Sequence, residues 1–178
     1  LRPDIQWVGY ATPDHSPIAG GSRVQFGSGP IQEMQLLGAH NMQNLAAARA
    51  CCKAMGLDPE AFDHAMANFT GAARRLEVIA EDKEKGFIAF RDFAHAPSKL
   101  KATQASVVGQ FPEREVTALF ELHTFSSLNK DFLPQYQGAM EEVHHAIVYF
   151  DPKVVAHKRL PELDVAFVQA SFERSTLE

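Results

Sequence analysis

The sequence predicts an α/β fold with a mainly parallel sheet, preceded by a shorter piece of a second α/β domain. Between residues 86 and 151, strand-like and helix-like segments alternate, which is typical of parallel strands joined by crossover helices. Before residue 70, a region rich in Gly and Pro leads into an alanine-rich helix. We therefore place a domain boundary near residues 70–75 and predict domains at 1–70 and 71–178.

Composition narrows the class of protein. The chain has 178 residues, of which 46% are hydrophobic and 22% charged, an ordinary globular balance. A net charge of -5 with scattered Lys and Arg argues against a nucleic-acid partner. No apolar run has membrane-spanning length and no signal peptide is visible, so we expect a cytoplasmic protein without a membrane partner. Because the sequence starts at Leu1, we expect a fragment of a longer chain.

The first part of the chain is predicted to contain strands and then a helix. Strand-like segments are IQWVGY (5–10), SRVQF (22–26) and MQLLG (34–38). The alanine-rich segment 41–55 favours a helix, and Gly56 is a typical residue at which a helix ends.

A second short helix should start at Asp58-Pro59, with Asp as the N-cap and Pro as the first helical residue. A strand hairpin and then alternating helices and strands follow: strands 76–80 and 86–93, helix 97–111, strand 116–122, helix 131–143 and strand 145–151. The segment PELDVAFVQASF after that is compatible with either a helix or a final strand. The oligomeric state is left open.

The start of the alanine-rich helix reads GAHNMQN, residues 38–44. His40 and Asn41 lie beside backbone N–H groups that have no partner within the helix. Asn41 and Asn44 share one face, and two carboxamides supply both donors and acceptors, as the edge of a purine base requires. The alternative is that Asn41 caps the helix and Asn44 faces solvent.

The proposed boundary contains FTGAARRLE, residues 69–77. Guanidinium groups suit bidentate recognition of phosphate, so Arg74 and Arg75 are candidates for nucleotide binding. The alternative is a solvated hinge with a salt bridge to Glu77.

Two polar loops follow predicted strands of the second domain. In RDFAHAPSKL, residues 91–100, Asp92 and His95 come where a strand ends, and ligands bind at that edge of parallel sheets. A carboxylate there can accept hydrogen bonds from ribose hydroxyls, and a histidine can donate or titrate. The alternative is a capping aspartate and a surface histidine. The second loop, FELHTFSSLNKDF at 120–132, is unusually polar and is a candidate for substrate binding.

In this order, the motifs resemble the Mur ligase family, the ATP-dependent amino-acid and peptide ligases of bacterial cell-wall synthesis. GAHNMQNLAAARA resembles the family's G-x-H-N-x-x-N-x-x-A-A segment, FTGAARRLE its F-x-G-x-x-R-R-x-E link, and RDFAHAPSKL its D-[YF]-A-H-x-P loop. The resemblance covers about residues 20–150. It implies the end of the central ATP-binding domain at 1–70 and a truncated, Rossmann-like C-terminal domain at 71–178.

The resemblance also implies roles for individual residues. His40, Asn41 and Asn44 match positions near the adenine of ATP, Arg75 matches an arginine that reaches the nucleotide, and Asp92 matches the aspartate that binds the ribose.

The resemblance further implies that residues of the two polar loops bind the substrate: His95, Ser98, His123, Ser126 and Asn129. The loop at 120–132 is most similar to that of ligases that attach the tripeptide L-Ala-γ-D-Glu-meso-diaminopimelate to UDP-N-acetylmuramate in peptidoglycan recycling. Ligases that add L-alanine to UDP-N-acetylmuramate are the alternative, and a non-catalytic nucleotide-binding module is a second one. Both kinds of ligase often have an arginine at or next to His123, where this chain has Thr124.

The implied cofactors are ATP and Mg²⁺, with the magnesium ligands mostly outside this sequence. No G-x-x-G-K-[ST] phosphate-binding motif occurs in the chain, so we expect no ligase activity from it alone. The 8 histidines lack ligand spacing, so we expect no metal site formed by this chain.

Overall fold

The computed structural model describes residue 5 and residues 7–174. The chain divides into two compact units, Leu1–Glu77 and Val78–Glu178. We call them unit 1 and unit 2 and describe each by itself. Their assignment to particular domains of a larger enzyme stays a prediction.

Unit 1 consists of a three-stranded antiparallel sheet followed by two helices. Its elements are β1 (Asp14–Ile18), β2 (Gly21–Gln25), β3 (Ile31–Met34), α1 (Ala39–Ala54) and α2 (Pro59–Ala67). The central strand is β2, which pairs with β1 on one side and β3 on the other. The predicted strand at 22–26 and helix at 41–55 are therefore confirmed, with shifts of one or two residues at their ends.

Two predicted strands of unit 1 are wrong. The described residues of 5–10 form no strand, and the Trp7 side chain is 78% exposed; Gln6 lies outside the described residues. The predicted strand 34–38 ends at its first residue. The carbonyl oxygens beyond it are taken by side chains, since the Ser22 hydroxyl donates to Leu36 O at 2.7 Å and so removes a group that a neighbouring strand would need.

The signals at the ends of the helices are confirmed. Gly56 follows α1 with a φ of 88°, a left-handed conformation that glycine adopts without strain. The Asp58 carboxylate accepts a hydrogen bond from the backbone N–H of Ala61 at 3.1 Å, and Pro59 is the first residue of α2.

A partly buried ion pair joins the two helices of unit 1. Arg49 of α1 donates two hydrogen bonds to the carboxylate of Asp63 in α2, at 2.7 and 2.8 Å. The Arg49 guanidinium also lies over the Phe26 ring, 4.6 Å from its centroid. The hydrogen bond to Asp63 raises the pKa of the Arg49 guanidinium above its ordinary value, so this group stays charged. The pair therefore ties both helices to the sheet, beside a small core of Val24, Met34, Leu36, Met42 and Leu45.

We expect Asp63→Ala to lower the free energy of unfolding by about 2–4 kcal/mol, because it leaves the Arg49 charge without its partner. Urea unfolding followed by circular dichroism measures this loss. The matched control is Glu33→Ala, which breaks the exposed Arg23–Glu33 pair and should cost less than about 1 kcal/mol. Equal losses of stability in the two variants would contradict a structural role of the Arg49–Asp63 pair.

Unit 2 contains most of the predicted α/β alternation. Its elements are β4 (Glu77–Asp82, whose first residue belongs to unit 1), β5 (Phe87–Arg91), α3 (Pro97–Gln110), β6 (Thr117–Leu122), a 3₁₀ turn (Leu133–Tyr136), β7 (His145–Phe150), α4 (Pro152–His157) and α5 (Val165–Phe172). Strands β4 and β5 form their own two-stranded sheet. Because only a four-residue turn joins them, they form the predicted hairpin.

Strands β6 and β7 pair in parallel, with Phe120 opposite Val148. This pairing and the helices around it confirm the α/β class. The segment that was left open between a helix and a strand is helical, as α5.

The predicted helix 131–143 is wrong, although its hydrophobic spacing is real. Leu133, Tyr136, Met140 and Val143 recur at helix-like intervals and are all buried. The backbone instead makes a 3₁₀ turn over Leu133–Tyr136 and then further turns. Pro134 supplies no N–H group, and Gly138 has a φ of 67°, which ends helical winding. Successive tight turns therefore bury the same side chains that a helix would.

The core of unit 2 is built around aromatic rings. The Tyr136 ring stacks on Phe172, with ring centroids 5.2 Å apart, and lies tilted against Phe120 at 5.3 Å. Phe132 meets the same ring edge-on. Residues from the sheet, the turns and α5 therefore share one core, with Tyr136 at its centre and fully buried.

Candidate functional site

Segment 38–44 is the start of α1. Gly38 is the N-cap, with a φ of 81°, so Asn41 is not the capping residue. The Asn41 side-chain NH₂ donates instead to the carbonyl of Leu37 at 2.9 Å. Its side-chain oxygen accepts no hydrogen bond from the described residues. This arrangement orients the Asn41 amide with an acceptor available for a ligand.

Two other predicted residues of this segment differ in their surroundings. His40 is half-buried, and Asn44 is exposed six residues after Gly38, without a hydrogen-bond partner among the described residues. The exposed Asn44 amide offers both a donor and an acceptor.

The segment 70–77 of unit 1 has an unusual backbone. Arg74 and Leu76 both have positive φ angles, 59° and 46°, which side-chain-bearing residues rarely adopt. The carboxylate of Glu77 accepts a hydrogen bond from the backbone N–H of Arg74 at 2.8 Å, which stabilises this geometry. The Arg75 side chain is exposed and forms no ion pair within the described part of the chain. Its guanidinium is therefore available to an anion.

In unit 2, Asp92 directly follows β5 and precedes α3. Its carboxylate is half-buried and lies 3.4 Å from the hydroxyl of Thr103 in α3, a long hydrogen bond that fixes one of its oxygens. The structure thus places Asp92 at the end of a strand and beside the start of a helix, as predicted. Ser98 is exposed in the first turn of α3.

Segment 92–96 is attached to the core of unit 2 by one hydrogen bond. The buried hydroxyl of Tyr136 donates to the backbone carbonyl of His95. Burial raises the pKa of Tyr136 to about 12, so the hydroxyl keeps its proton and stays a donor at physiological pH. The position of segment 92–96 is therefore coupled to the packing of the aromatic core.

Aromatic contacts bring the two polar loops of unit 2 together. The Phe93 ring lies 5.1 Å from the His95 ring and 5.8 Å from the His123 ring, centroid to centroid. Each histidine has its Nδ1 within hydrogen-bond distance of a carbonyl, Phe93 O for His95 and Glu121 O for His123. Since a carbonyl only accepts, Nδ1 carries the proton, and Nε2 of each neutral ring is an acceptor.

The loop after β6 is closed by its own hydrogen bonds. The hydroxyls of Thr124 and Ser127 lie 2.8 Å apart, and each accepts a hydrogen bond from the other residue's backbone N–H at 3.0 Å. Ser126 is exposed beside them. Asn129 uses its side-chain oxygen to accept the N–H of Asp131 at 2.9 Å. Of the three predicted binding residues in this loop, Ser126 is exposed, His123 is half-buried, and the Asn129 side chain shapes the turn.

Sequence reasoning missed three residues that organise this site: Phe93, Thr103 and Tyr136. Phe93 lies inside a motif that was recognised, but its contact with His123 depends on the tertiary structure. Tyr136 carried a detectable signal, because a tyrosine among buried apolar positions needs a partner for its hydroxyl.

The residues present do not fit a magnesium site. Within the described residues, no group of three or more His, Cys, Asp or Glu side chains is arranged to hold a metal ion. Within unit 1, the exposed Asn44 amide and the Arg75 guanidinium can each donate hydrogen bonds to a nucleotide. None of the described helices is long and apolar enough to cross a membrane.

Curated proteins with similar sequences are ligases. A UDP-N-acetylmuramate–L-alanine ligase of Roseiflexus castenholzii is 37% identical over 93 residues, 52% of this chain and 19% of that protein. A protein of the same name from Chlorobium phaeovibrioides is 30% identical over 141 residues, 78% of this chain and 29% of its own length. The chain thus spans less than a third of the length of these curated relatives. No family model matches the chain.

Solved structures with the same fold include the UDP-N-acetylmuramate–alanine ligase of Thermotoga maritima. Its TM-score is 0.67 at 16% identity, over 92% of this chain and 35% of the other. The folylpolyglutamate synthase of Mycobacterium tuberculosis, solved with ADP and AMPPCP, has a TM-score of 0.63 at 19% identity, over 95% of this chain and 37% of the other. The chain therefore has the Mur ligase fold, and the sequence similarities support its assignment to the Mur ligase family.

We expect Tyr136→Phe to remove a pH dependence of stability between about pH 10 and 12. In the folded chain the pKa of Tyr136 is raised to about 12 from an ordinary value of 10.0. The unfolded state thus loses its proton first as pH rises, and stability falls across that window by on the order of 2 kcal/mol. Urea unfolding at pH 9 and pH 11 measures the difference for the chain and the variant. Identical losses in both would contradict a buried, protonated hydroxyl.

Proposed function

We propose that this chain is part of an ATP-dependent ligase that joins UDP-N-acetylmuramate to L-alanine. The observation that carries the proposal is the name shared by the curated relatives, which match up to 78% of the chain. Solved proteins of this fold include the UDP-N-acetylmuramate–alanine ligase of Thermotoga maritima. The folylpolyglutamate synthase of Mycobacterium tuberculosis, which has the same fold, was solved with ADP. The names of these relatives support L-alanine as the acceptor better than the tripeptide.

The tripeptide L-Ala-γ-D-Glu-meso-diaminopimelate remains a second candidate acceptor, proposed on one feature. Residues 123–127 read HTFSS and lack the arginine that resembling ligases often have there. The Thr124 and Ser127 hydroxyls are also committed to each other. Both kinds of ligase often have that arginine, so its absence does not choose between them, and the tripeptide is proposed because the loop at 120–132 resembles that of the tripeptide ligases.

For the nucleotide, we propose that His40, Asn41 and Asn44 lie at the adenine, Arg75 at the nucleotide and Asp92 at the ribose. The available oxygen of Asn41 and the exposed amide of Asn44 support adenine recognition, because the base edge presents both a donor and an acceptor. Bound ATP would supply the phosphoryl group that activates the muramoyl carboxylate.

For the acceptor, we propose His95, Ser98, His123, Ser126 and Asn129. An amino acid in solution carries an ammonium group, which must lose a proton before its nitrogen can attack an acyl carbon. Both histidine rings contact Phe93, and the Nε2 atom of either neutral ring can accept that proton if the amine binds there. Asn129 would contribute indirectly, through the shape of the loop.

In the full-length protein, we expect Asp92→Asn to raise the KM for ATP about 10- to 100-fold, because a charged acceptor for the ribose hydroxyls becomes a neutral one. Steady-state kinetics with varied ATP measure the change. Glu113→Gln is the control, since Glu113 is an exposed carboxylate of the same unit away from the site. An unchanged KM for ATP in Asp92→Asn would contradict the ribose assignment.

The choice of acceptor is tested by phosphate release from ATP in the full-length protein, with UDP-N-acetylmuramate and either L-alanine or the tripeptide. We expect turnover with L-alanine. Preference for the tripeptide would replace the first proposal by the second, and no release with either would contradict both. The 178-residue chain alone should release no phosphate, since it lacks the phosphate-binding motif.

A further inference from the structure

Lys158, the C-cap of α4, lies over an exposed aromatic ring of the loop at 120–132, which we call the acceptor loop. The Nζ atom of Lys158 is 4.1 Å from the centroid of the Phe125 ring. Phe125 follows His123 by two residues, and its side chain is 63% exposed. The ring is therefore open to solvent on the loop surface, while Lys158 itself is half-buried.

The backbone at Lys158 is fixed by the way α4 ends. Lys158 is the C-cap, and Arg159 after it is left-handed, with a φ of 55°. The N–H of Leu160 donates to Val155 O at 3.2 Å and that of Arg159 to Ala156 O at 2.9 Å, the two bonds of a Schellman motif. Val155 is buried in the core of unit 2. The lysine thus projects from a well-anchored position.

Lys158 has no counter-ion in the described part of the chain, where no carboxylate lies within salt-bridge distance of it. Lys130, on the same loop, is a useful contrast. It lies 5.4 Å from the ring of Phe167, which is half-buried and packed against the core. Both lysines are half-buried, and the two pairs differ in the ring, since Phe167 packs against the core whereas Phe125 is exposed on the loop surface.

The proposed acceptor has one group that needs such a charge. When the amine of an amino acid reacts, its carboxylate remains ionised and must be bound by a cation or by several N–H donors. The acceptor loop has no arginine, and its Thr124 and Ser127 hydroxyls are already paired. An ammonium group has three donors, and contact with one ring leaves donors for a carboxylate.

We propose that Lys158, supported by Phe125, binds the carboxylate of the amino-acid acceptor and so contributes to acceptor specificity. The inference rests on the proposed function. In this arrangement the end of α4 supplies an ammonium group that lies over Phe125, two residues after His123 in the loop, and contact with the ring does not neutralise its charge.

The test uses the full-length enzyme with saturating ATP and UDP-N-acetylmuramate, and compares L-alanine with L-alaninamide, which has no carboxylate. For Lys158→Gln we expect kcat/KM with L-alanine to fall about 10- to 100-fold, while that with L-alaninamide changes less than about 2-fold. The KM for ATP should not change. Lys158→Arg should keep most of the discrimination between the two acceptors, because it keeps the charge.

Lys130→Gln is the matched control and should leave the discrimination as it is in the wild type. Equal losses with both acceptors in Lys158→Gln would show a merely structural role and overturn the inference, as would unchanged discrimination. Both results leave the proposed function intact, since the wild type is active in them. If the wild type does not use L-alanine at all, the proposed function and this inference fall together.

Discussion

The hydrogen bond from the Tyr136 hydroxyl to the His95 carbonyl links the core of unit 2 to its candidate site. The ring of this tyrosine is enclosed by Phe120, Phe132 and Phe172, so the hydroxyl has little freedom to move. A buried hydroxyl without a partner is costly, and the His95 carbonyl satisfies it. The packing of apolar side chains thereby determines where a polar segment of the surface lies.

The consequences of this constraint reach both polar loops. With His95 fixed, the Phe93 ring contacts both histidine rings, and Asp92 meets Thr103 of α3. The loop after β6 is independently rigid, because Thr124 and Ser127 satisfy each other. Preorganised side chains of this kind lose little freedom when a ligand binds, which suits a site that has to orient an amine.

Local signals predicted much of the fold. The ends of α1 and α2 follow from Gly56, Asp58 and Pro59, whose conformational preferences act within a few residues. The hairpin of β4 and β5 and the parallel pair of β6 and β7 follow from runs of strand-forming residues. The predicted helix 131–143 failed for a physical reason, since apolar spacing reports which side chains are buried and not how the backbone winds. There the proline and glycine decided the winding.

The candidate site was predictable in its residues but not in its contacts. Asp92, His95 and His123 were recognised as polar residues that follow strands. The contact of Phe93 with His123 and the hydrogen bond of Tyr136 to His95 join segments about thirty and forty residues apart in sequence, which no local pattern encodes. The contact of Lys158 with Phe125 was invisible for the same reason, because the end of α4 and this loop meet only in the folded unit.

Amide hydrogen exchange of the chain and of Tyr136→Phe would test most directly whether the aromatic core positions the site. We expect amide exchange at residues 93–96 to become about 5- to 10-fold faster in the variant, because the hydrogen bond to the His95 carbonyl is lost. Exchange in β6 should be unchanged. Unchanged exchange at 93–96, with the rest of the fold intact, would contradict it.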